Sequence, residues 1–344
     1  MIQSTKSLLL IIQVLILTLF MGCQNSSKNS SSETSDKSTH SNNLNGDKHI
    51  SNSSNFKIGV IQYNVKYDTR KNIWGDKGFR AKQVQAMVNI INSNKSVDFI
   101  ALEQAPNYLD DEPTSPKLDT LLPGKLKTKY TTAPNNDLLS PNSEPKLDYR
   151  KFDGIQITYN NTKWQIIGKP LSGYWKGTYD RTNKTLVFQG TPDVRPYSAA
   201  YFQNKDDENI KLIFVATHFP HPSDGWNWDF FKNDLLALVD GDESKLKTTT
   251  IVMSGDYNTP STAFKDNNNL KSIGNFEFLN VNKEEDATCC SDDGFVNHFD
   301  YIGISNGGKV VFDYTIVPDT GNISGDTQKE EHKSIYVEAT IDNT

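Results

Sequence analysis

Several short apolar runs in this chain end on polar side chains of the types that catalytic sites use. Each run holds about five to eight residues rich in Val, Ile and Leu, which predicts buried β-strands. Because the ends of neighbouring strands meet at one rim of a sheet, we expect these polar side chains to lie close together. A β-rich fold with a functional rim is therefore predicted from runs at 57–64, 98–104, 211–218, 249–258, 298–305 and 334–341.

The first 22 residues have the pattern of a signal peptide. They carry one basic residue, Lys6, followed by an apolar run of about 13 residues that is too short to span a bilayer. Gly22–Cys23 then resembles a bacterial lipobox, although Phe20 and Met21 depart from its usual residues. We expect Cys23 to be lipidated and the protein to be extracytoplasmic and lipid-anchored in the bacterial envelope. The alternative is a plain secretory signal cut elsewhere.

Two further segments follow the signal peptide. Residues 23–55 are mostly Ser, Asn, Lys, Thr and Asp, a composition that predicts a disordered tether. Residues 56–344 are numerous enough for one large domain with its own core, which we expect to be monomeric. The formal net charge of −6 argues against indiscriminate binding to the nucleic-acid backbone. Because Gln24 rather than Asp follows Cys23, sorting to the outer membrane is allowed if the host is Gram-negative.

The pattern within the domain predicts two sheets packed face to face with helices outside. Apolar residues at helical spacing predict helices over 79–94 and 226–240. The segments 152–160 and 163–168 are predicted to form a β-hairpin, and 194–203 is expected to pair with 211–218. Cys289 and Cys290 have no zinc-ligand spacing around them, and they are predicted to be either a vicinal disulfide or two thiols.

The polar residues at the strand ends suit metal-assisted hydrolysis of a phosphate ester. Such a reaction needs an oriented water and positive charge near the phosphoryl oxygens. Mg²⁺ prefers one or two carboxylates plus waters and substrate phosphate, and Glu103 with the Asn64 amide beside it is the best candidate for a site of Mg²⁺ or Mn²⁺. The alternative for Glu103 is a salt-bridged strand end.

The sequence Gly255-Asp256-Tyr257-Asn258 is a second candidate element. Asp256 and Asn258 are two residues apart at the end of a strand, so their side chains are expected to face one side. Asp256 would then orient the attacking water while the Asn258 amide donates to a phosphoryl oxygen. Gly255 would allow close backbone approach. The alternative is an ordinary Asx turn.

Taken in order, these motifs resemble those of the endonuclease/exonuclease/phosphatase superfamily, which includes deoxyribonuclease I, abasic-site endonucleases, bacterial sphingomyelinases and inositol-polyphosphate 5-phosphatases. The resemblance covers essentially all of 56–342. It rests on Asn64, Glu103, Asp153–Gly154, Thr217–His218, Gly255–Asp256 with Asn258, Asp300–Tyr301–Ile302, and His332. It implies an α/β fold, a four-layer α/β/β/α sandwich of two packed mixed sheets.

The resemblance also implies roles for two histidines. A histidine of this kind needs a carboxylate to fix its tautomer, and Asp300 is the expected partner of His332, whereas His218 is expected to pair with Asp153. The alternative for a single histidine at a strand end is a structural hydrogen bond. Where the family usually has Asp before the last histidine, this chain has Glu331, which we expect to help bind the metal with a longer side chain.

The sequence constrains the substrate less than it constrains the type of reaction. Arg195 precedes a strand, where deoxyribonuclease I-like proteins carry an arginine, and we expect it to contact a phosphate. Tyr149 and Arg150 form a basic-aromatic cluster, which we expect to contact nucleic acid or phosphate. The alternative for this cluster is a solvated loop edge. We expect a nuclease acting on phosphodiester bonds, with nucleic acid as the favoured partner. One alternative is a phosphatase or phospholipase C-type enzyme acting on inositol phosphates or sphingomyelin. A second is a catalytically silent binding protein with the same fold.

Overall fold

The predicted apolar runs form the centres of two β-sheets. A computed structural model of the chain describes residues 55–64, 88–89, 91–93, 96–104, 129–134, 154–176, 178–180, 182–183, 185–187, 195–221, 226–264, 267–280, 287–289, 297–306, 309–316 and 332–342. These residues all belong to one compact unit, Asn52–Thr344.

In chain order the strands are β1 (Phe56–Asn64), β2 (Phe99–Glu103), β3 (Tyr130–Thr132), β4 (Ile155–Asn160), β5 (Trp164–Tyr174), β6 (Thr178–Asp180), β7 (Thr185–Val187), β8 (Pro196–Asn204), β9 (Lys211–His218), β10 (Thr250–Asp256), β11 (Phe276–Phe278), β12 (Asp300–Ser305), β13 (Lys309–Ile316) and β14 (Ile335–Asp342). The helices are α1 (Trp228–Leu238), α2 (Glu243–Thr248) and α3 (Asn268–Ile273), with a 3₁₀ helix at Ser261–Phe264.

Each of the two large sheets has six described strands and one parallel pair near its centre. Sheet 1 has the order β13-β14-β1-β2-β4-β3, and sheet 2 has the order β11-β12-β10-β9-β8-β5. β1 and β2 are parallel in sheet 1, and β9 and β10 are parallel in sheet 2, whereas the other neighbours are antiparallel. The strands β6 and β7 form a separate two-stranded ribbon. The predicted sandwich of two mixed sheets is therefore confirmed.

The two sheets share one core. Phe99 of β2 lies with its ring centroid 4.6 Å from that of Phe214 on β9 and 5.0 Å from that of Phe202 on β8. These aromatic side chains are fully buried, and burial of each contributes about 1.5–3 kcal/mol relative to exposure. The inner faces of the sheets are therefore joined by large apolar side chains, which leaves polar residues to collect at the rim.

The helix predicted over 226–240 is confirmed as α1, which packs on β5 and β8 at the outer face of sheet 2. It begins after Asn227, whose side chain accepts a hydrogen bond from the Phe230 N–H at 3.2 Å and so caps the first turn. Its buried apolar residues Trp228, Phe231, Leu235 and Leu238 fall on one face at helical spacing. The helix predicted over 79–94 lies mostly outside the described residues. Among those described, no helix is long and apolar enough to cross a membrane.

One predicted pairing is wrong and another is confirmed. The segments expected to form a hairpin are β4 and β5, but β4 bonds to β2 and β3 in sheet 1, whereas β5 bonds to β8 in sheet 2. The three residues between them, 161–163, carry the chain from one sheet to the other. Lys163 and Trp164 stabilise this crossing, because both contact Asp98, the residue just before β2. The predicted pairing of 194–203 with 211–218 is found as the antiparallel pair β8–β9.

Candidate active site

The two parallel strand pairs place four of the predicted site residues at the same rim. Asn64 and Glu103 are the last residues of β1 and β2 and lie opposite each other in the parallel register. His218 and Asp256 end β9 and β10 and are opposite each other in the same way. Parallel strands end at the same edge of a sheet, so each pair brings two polar side chains together.

Antiparallel neighbours of these pairs begin at the rim and add two more residues. Asp300 opens β12 directly opposite Asp256. His332 lies just before β14, which runs antiparallel to β1, and its backbone forms an isolated bridge with Cys289. Cys289 is disulfide-bonded, so it is not a free thiol, and Cys290 lies outside the described residues. All six residues, Asn64, Glu103, His218, Asp256, Asp300 and His332, are buried.

Asp256 is the centre of the cluster. Its Oδ2 accepts a hydrogen bond from Asn64 Nδ2 at 3.0 Å and lies 3.2 Å from His218 Nε2 and 3.6 Å from His332 Nε2. Burial alone would raise the pKa of Asp256, but the electrostatic attraction of His332 and His218, together with a hydrogen bond from His218, lowers it well below its usual range. The arrangement therefore keeps Asp256 ionised between two imidazoles.

The predicted pairing of His332 with Asp300 is present in the structure. His332 Nδ1 donates to Asp300 Oδ2 at 2.8 Å, which leaves Nε2 facing Asp256 and the Asn64 amide at 3.4 Å. A carboxylate on one ring nitrogen fixes the orientation of the imidazole and favours its charged form. His332 is thus held so that its second nitrogen points to the centre of the cluster.

Glu103 has an environment that suits a bound cation. It is fully buried, its Oε2 accepts a hydrogen bond from Gln62 Nε2 at 2.9 Å, and its Oε1 has no hydrogen-bond partner among the described residues. Burial, and then the negative charges of Asp300 and Asp256, raises the pKa of Glu103 well above its usual value. A buried carboxylate beside two others needs positive charge, and a divalent cation would supply it.

The chain offers two groups of oxygen and nitrogen ligands for such an ion. The first group is the ligand set predicted from the sequence. It includes Glu103, whose Oε1 has no partner among the described residues, and Asn64, whose Nδ2 donates to Asp256. The second group was assigned to catalysis alone from the sequence: Asp256, Asp300 and His332 each present a ligand atom, and these atoms lie within 4.8 Å of one another. The residues present therefore fit a divalent metal at this rim.

Asn258 lies beside Asp256 but leaves the strand pattern. β10 ends at Asp256, and Asn258 adopts a left-handed backbone with φ 49°. Its N–H donates to Asp256 Oδ1 at 2.9 Å, which is an Asx turn, and its Nδ2 donates to the Phe219 carbonyl at 2.7 Å. Strand alternation does not therefore set the direction of its side chain. Gly255 is required as expected, because a Cβ there would lie 1.7 Å from the Thr217 carbonyl oxygen.

Arg195 comes directly before β8 and reaches the cluster from its side. Its Nη1 lies 3.2 Å from His218 Nδ1. The sequence predicted a substrate contact for this arginine, and the structure places its positive charge next to a rim histidine. The other predicted site residues lie outside the described residues; they are Cys23, Tyr149, Arg150, Asp153 and Glu331.

Gln62 belongs to the cluster but was missed from the sequence. Its Nε2 contacts both Glu103 Oε2, at 2.9 Å, and Asp300 Oδ1, at 2.8 Å. The available signal was a polar residue inside an otherwise apolar run, two positions before Asn64 and thus on the same face of the strand.

Comparison with known proteins identifies the fold. No protein-family model matches the sequence, and no curated protein matches it. An endonuclease/exonuclease/phosphatase from Bacteroides vulgatus has a similar structure, with 12% identity and a TM-score of 0.52 over 83% of this chain and 100% of that one. A family member from Bacteroides thetaiotaomicron gives 15% identity and a TM-score of 0.52 over 84% and 99% of the two chains.

A third similar structure is a mannosyl-6-phosphatase from Bacteroides thetaiotaomicron, with 14% identity and a TM-score of 0.50 over 82% of this chain and 99% of that one. At these identities the similarity establishes the architecture alone. The chain has the endonuclease/exonuclease/phosphatase fold, as its motifs predicted.

Proposed function

We propose that this protein is a metal-dependent phosphoesterase. The observation that carries the proposal is the buried cluster at the rim: three carboxylates, two histidines, and a Glu103 oxygen with no partner among the described residues. A buried carboxylate oxygen without a hydrogen-bond partner costs stability, and a bound cation would compensate this cost.

The side chains of the cluster suit the steps of phosphate-ester hydrolysis. Asp256 is held ionised and accepts hydrogen bonds at the centre of the site, so it would orient the attacking water. His332, oriented by Asp300, and His218, with Arg195 beside its ring, would place positive charge next to the phosphoryl oxygens. The Asn64 amide, which donates to Asp256, would keep that carboxylate in place.

A divalent cation, Mg²⁺ or Mn²⁺, would supply charge neutralisation at the phosphate. Glu103 is its first proposed ligand, with Asn64 and Glu331 as the remaining members of the predicted set. Asp256, Asp300 and His332 form the second group that would hold an ion.

Nucleic-acid phosphodiesters are the first proposed substrate class. The segments 299–305 and 310–322 resemble the corresponding stretches of deoxyribonuclease I-like members, and Arg195 would contact a phosphate beside His218. Phosphomonoesters are the second class, because one of the similar structures is named as a mannosyl-6-phosphatase. The N-terminal pattern supports a lipid-anchored enzyme outside the cytoplasm, held by Cys23 on a tether.

The proposal is tested by incubating the full-length protein, in detergent and with Mg²⁺ or Mn²⁺, with separate substrates. These are plasmid DNA, RNA, sphingomyelin, inositol polyphosphates and mannose 6-phosphate. His218→Ala and an EDTA sample should abolish turnover, whereas His221→Ala, at an exposed position three residues later, should not. Cleavage of a single class would identify the substrate branch. Absence of turnover on all classes by folded protein would contradict the proposal and favour a binding protein.

A further inference from the structure

Gln62 is a buried amide in the middle of the candidate site. It lies on β1, two residues before Asn64, so both side chains face sheet 2 from the same side of the strand. It is fully buried, where an uncharged polar side chain is costly unless it makes hydrogen bonds. Its hydrogen bonds must therefore offset the cost of burying the amide.

Both hydrogens of the Gln62 amide are used on carboxylates. Nε2 donates to Glu103 Oε2 at 2.9 Å and to Asp300 Oδ1 at 2.8 Å. The orientation of the amide follows from chemistry, because the reverse orientation would direct Oε1 at two carboxylates that can only accept. The cost is visible at the other end, since Oε1 has no partner among the described residues.

These two hydrogen bonds join the sheets at the rim. Glu103 belongs to sheet 1, whereas Asp300 belongs to sheet 2 and holds His332 through its other oxygen. Asn64 makes the equivalent link from β1 to Asp256, the residue opposite Asp300. Two amides on one strand thus hold two neighbouring acids of the opposite sheet.

We propose that Gln62 is a positioning residue that fixes Glu103 for cation binding and ties it to the Asp300–His332 pair. The inference rests on the proposed metal-dependent function. Without the amide, Glu103 loses the side-chain donor that orients its carboxylate and stabilises its ionised, cation-binding form. Asp300 loses the donor on the oxygen that faces away from His332. Partners of this kind around a metal site typically contribute about 10–100-fold to metal affinity or activity.

The variant that tests this is Gln62→Met, which keeps the length and approximate volume but donates no hydrogen bond. Mn²⁺ binding to the full-length protein is measured by titration calorimetry, which requires no turnover. We expect the affinity of Gln62→Met to fall about 10–100-fold, with kcat reduced and KM for substrate little changed. Gln62→Asn, whose amide is one methylene shorter, should also weaken binding, and it serves if Gln62→Met does not fold.

Gln156→Met is the matched control. Gln156 is equally buried on the neighbouring strand β4, but it lies opposite Leu102 and therefore faces the other side of the sheet from Glu103. Its replacement should alter thermal stability without changing Mn²⁺ affinity.

Two results would overturn the role of Gln62. One is a folded Gln62→Met protein that binds Mn²⁺ as tightly as the wild type, and the other is an equal loss of affinity in Gln156→Met. If the wild type itself neither binds Mn²⁺ nor hydrolyses any substrate, the proposed function fails, and this inference fails with it.

Discussion

Strand β2 carries a buried acid near each end, and the two acids have opposite environments. Asp98 lies just before the strand and Glu103 ends it, and both are fully buried. Asp98 Oδ1 accepts from Trp164 Nε1 at 2.9 Å and lies 2.7 Å from Lys163 Nζ, while Oδ2 accepts from the Gly59 N–H at 2.8 Å. Both oxygens of Asp98 are therefore satisfied within the chain, and one partner is a cation.

Glu103 lacks such a set of partners. One of its oxygens accepts from an uncharged amide, the other has no partner in the described part of the chain, and its nearest charged neighbours in the cluster include two more acids. The difference indicates separate purposes. The chain itself supplies every partner of Asp98, which stabilises the fold. For Glu103, we propose that a bound cation supplies the missing partner.

The largest expected effect comes from Asp256→Asn. The substitution keeps the shape of the side chain but removes the charge that sits between the two histidines, and we expect kcat/KM to fall by about 10²–10⁴-fold. Steady-state kinetics on the substrate found in the panel measures the loss, with circular dichroism as the check of folding. Asp240→Asn, at a 90% exposed side chain, is the control and should retain wild-type activity. A loss below about threefold would remove Asp256 from the reaction.

Asp98→Ala should have the next largest effect, on stability rather than on activity. It would leave the Trp164 indole N–H and the Gly59 N–H without their acceptor and Lys163 without its partner, at a cost of about 3 kcal/mol. Urea denaturation measures the change. The folded fraction should keep the wild-type kcat, since the cluster at the opposite end of β2 is intact. A specific loss of kcat in folded protein would break the distinction between the two acids.

The sequence predicted the strands and the rim well because both depend on local pattern. Apolar runs define β1, β2, β9 and β10, and a residue at the end of such a run must lie at the edge of a sheet. The sequence alone therefore predicts that Asn64, Glu103, His218 and Asp256 lie close together.

Other features depend on contacts between the sheets, which a local pattern does not contain. A three-residue link after β4 predicts a hairpin, but the Asp98 contacts of Lys163 and Trp164 take β5 to the other sheet. The direction of Asn258 depends on a left-handed turn that follows the end of β10. The pattern places Gln62 inside an apolar run, and its two acceptors, Glu103 and Asp300, come from β2 and β12, which are far apart in the sequence.

A smaller effect is expected in the pH dependence of stability. The folded state raises the pKa of Glu103, so between its unfolded and folded pKa values the folded protein binds more protons than the unfolded one. Stability in EDTA should therefore fall as pH rises above about 4.5, with a slope of at most ~1.4 kcal/mol per pH unit from this group. Denaturation curves from pH 4.5 to 8 measure it.

Glu103→Gln is the matching variant for this effect. The variant should show a smaller fall of stability with rising pH, because the amide side chain does not titrate in this range. It should also lose the stabilisation that added Mn²⁺ gives the wild type. An unchanged pH slope in this variant would show that Glu103 does not carry the uncompensated charge.

The smallest predicted effect is a loss of stability on removing Lys163, the partly exposed partner of Asp98. Lys163→Met keeps the apolar stem of the side chain but removes a cation that is 29% exposed, and Asp98 would retain its hydrogen bonds from Trp164 and Gly59. Partial exposure allows water to replace the ammonium group, so the loss should be about 1 kcal/mol. Urea denaturation compares this loss with that of Lys57→Met. The Lys57 side chain is 64% exposed, so its ion pair with Glu338 should contribute less. If Lys163→Met destabilised the protein as much as Asp98→Ala does, Asp98 would depend on a single cation, as Glu103 is proposed to do. The two ends of β2 would then differ only in whether that cation belongs to the chain.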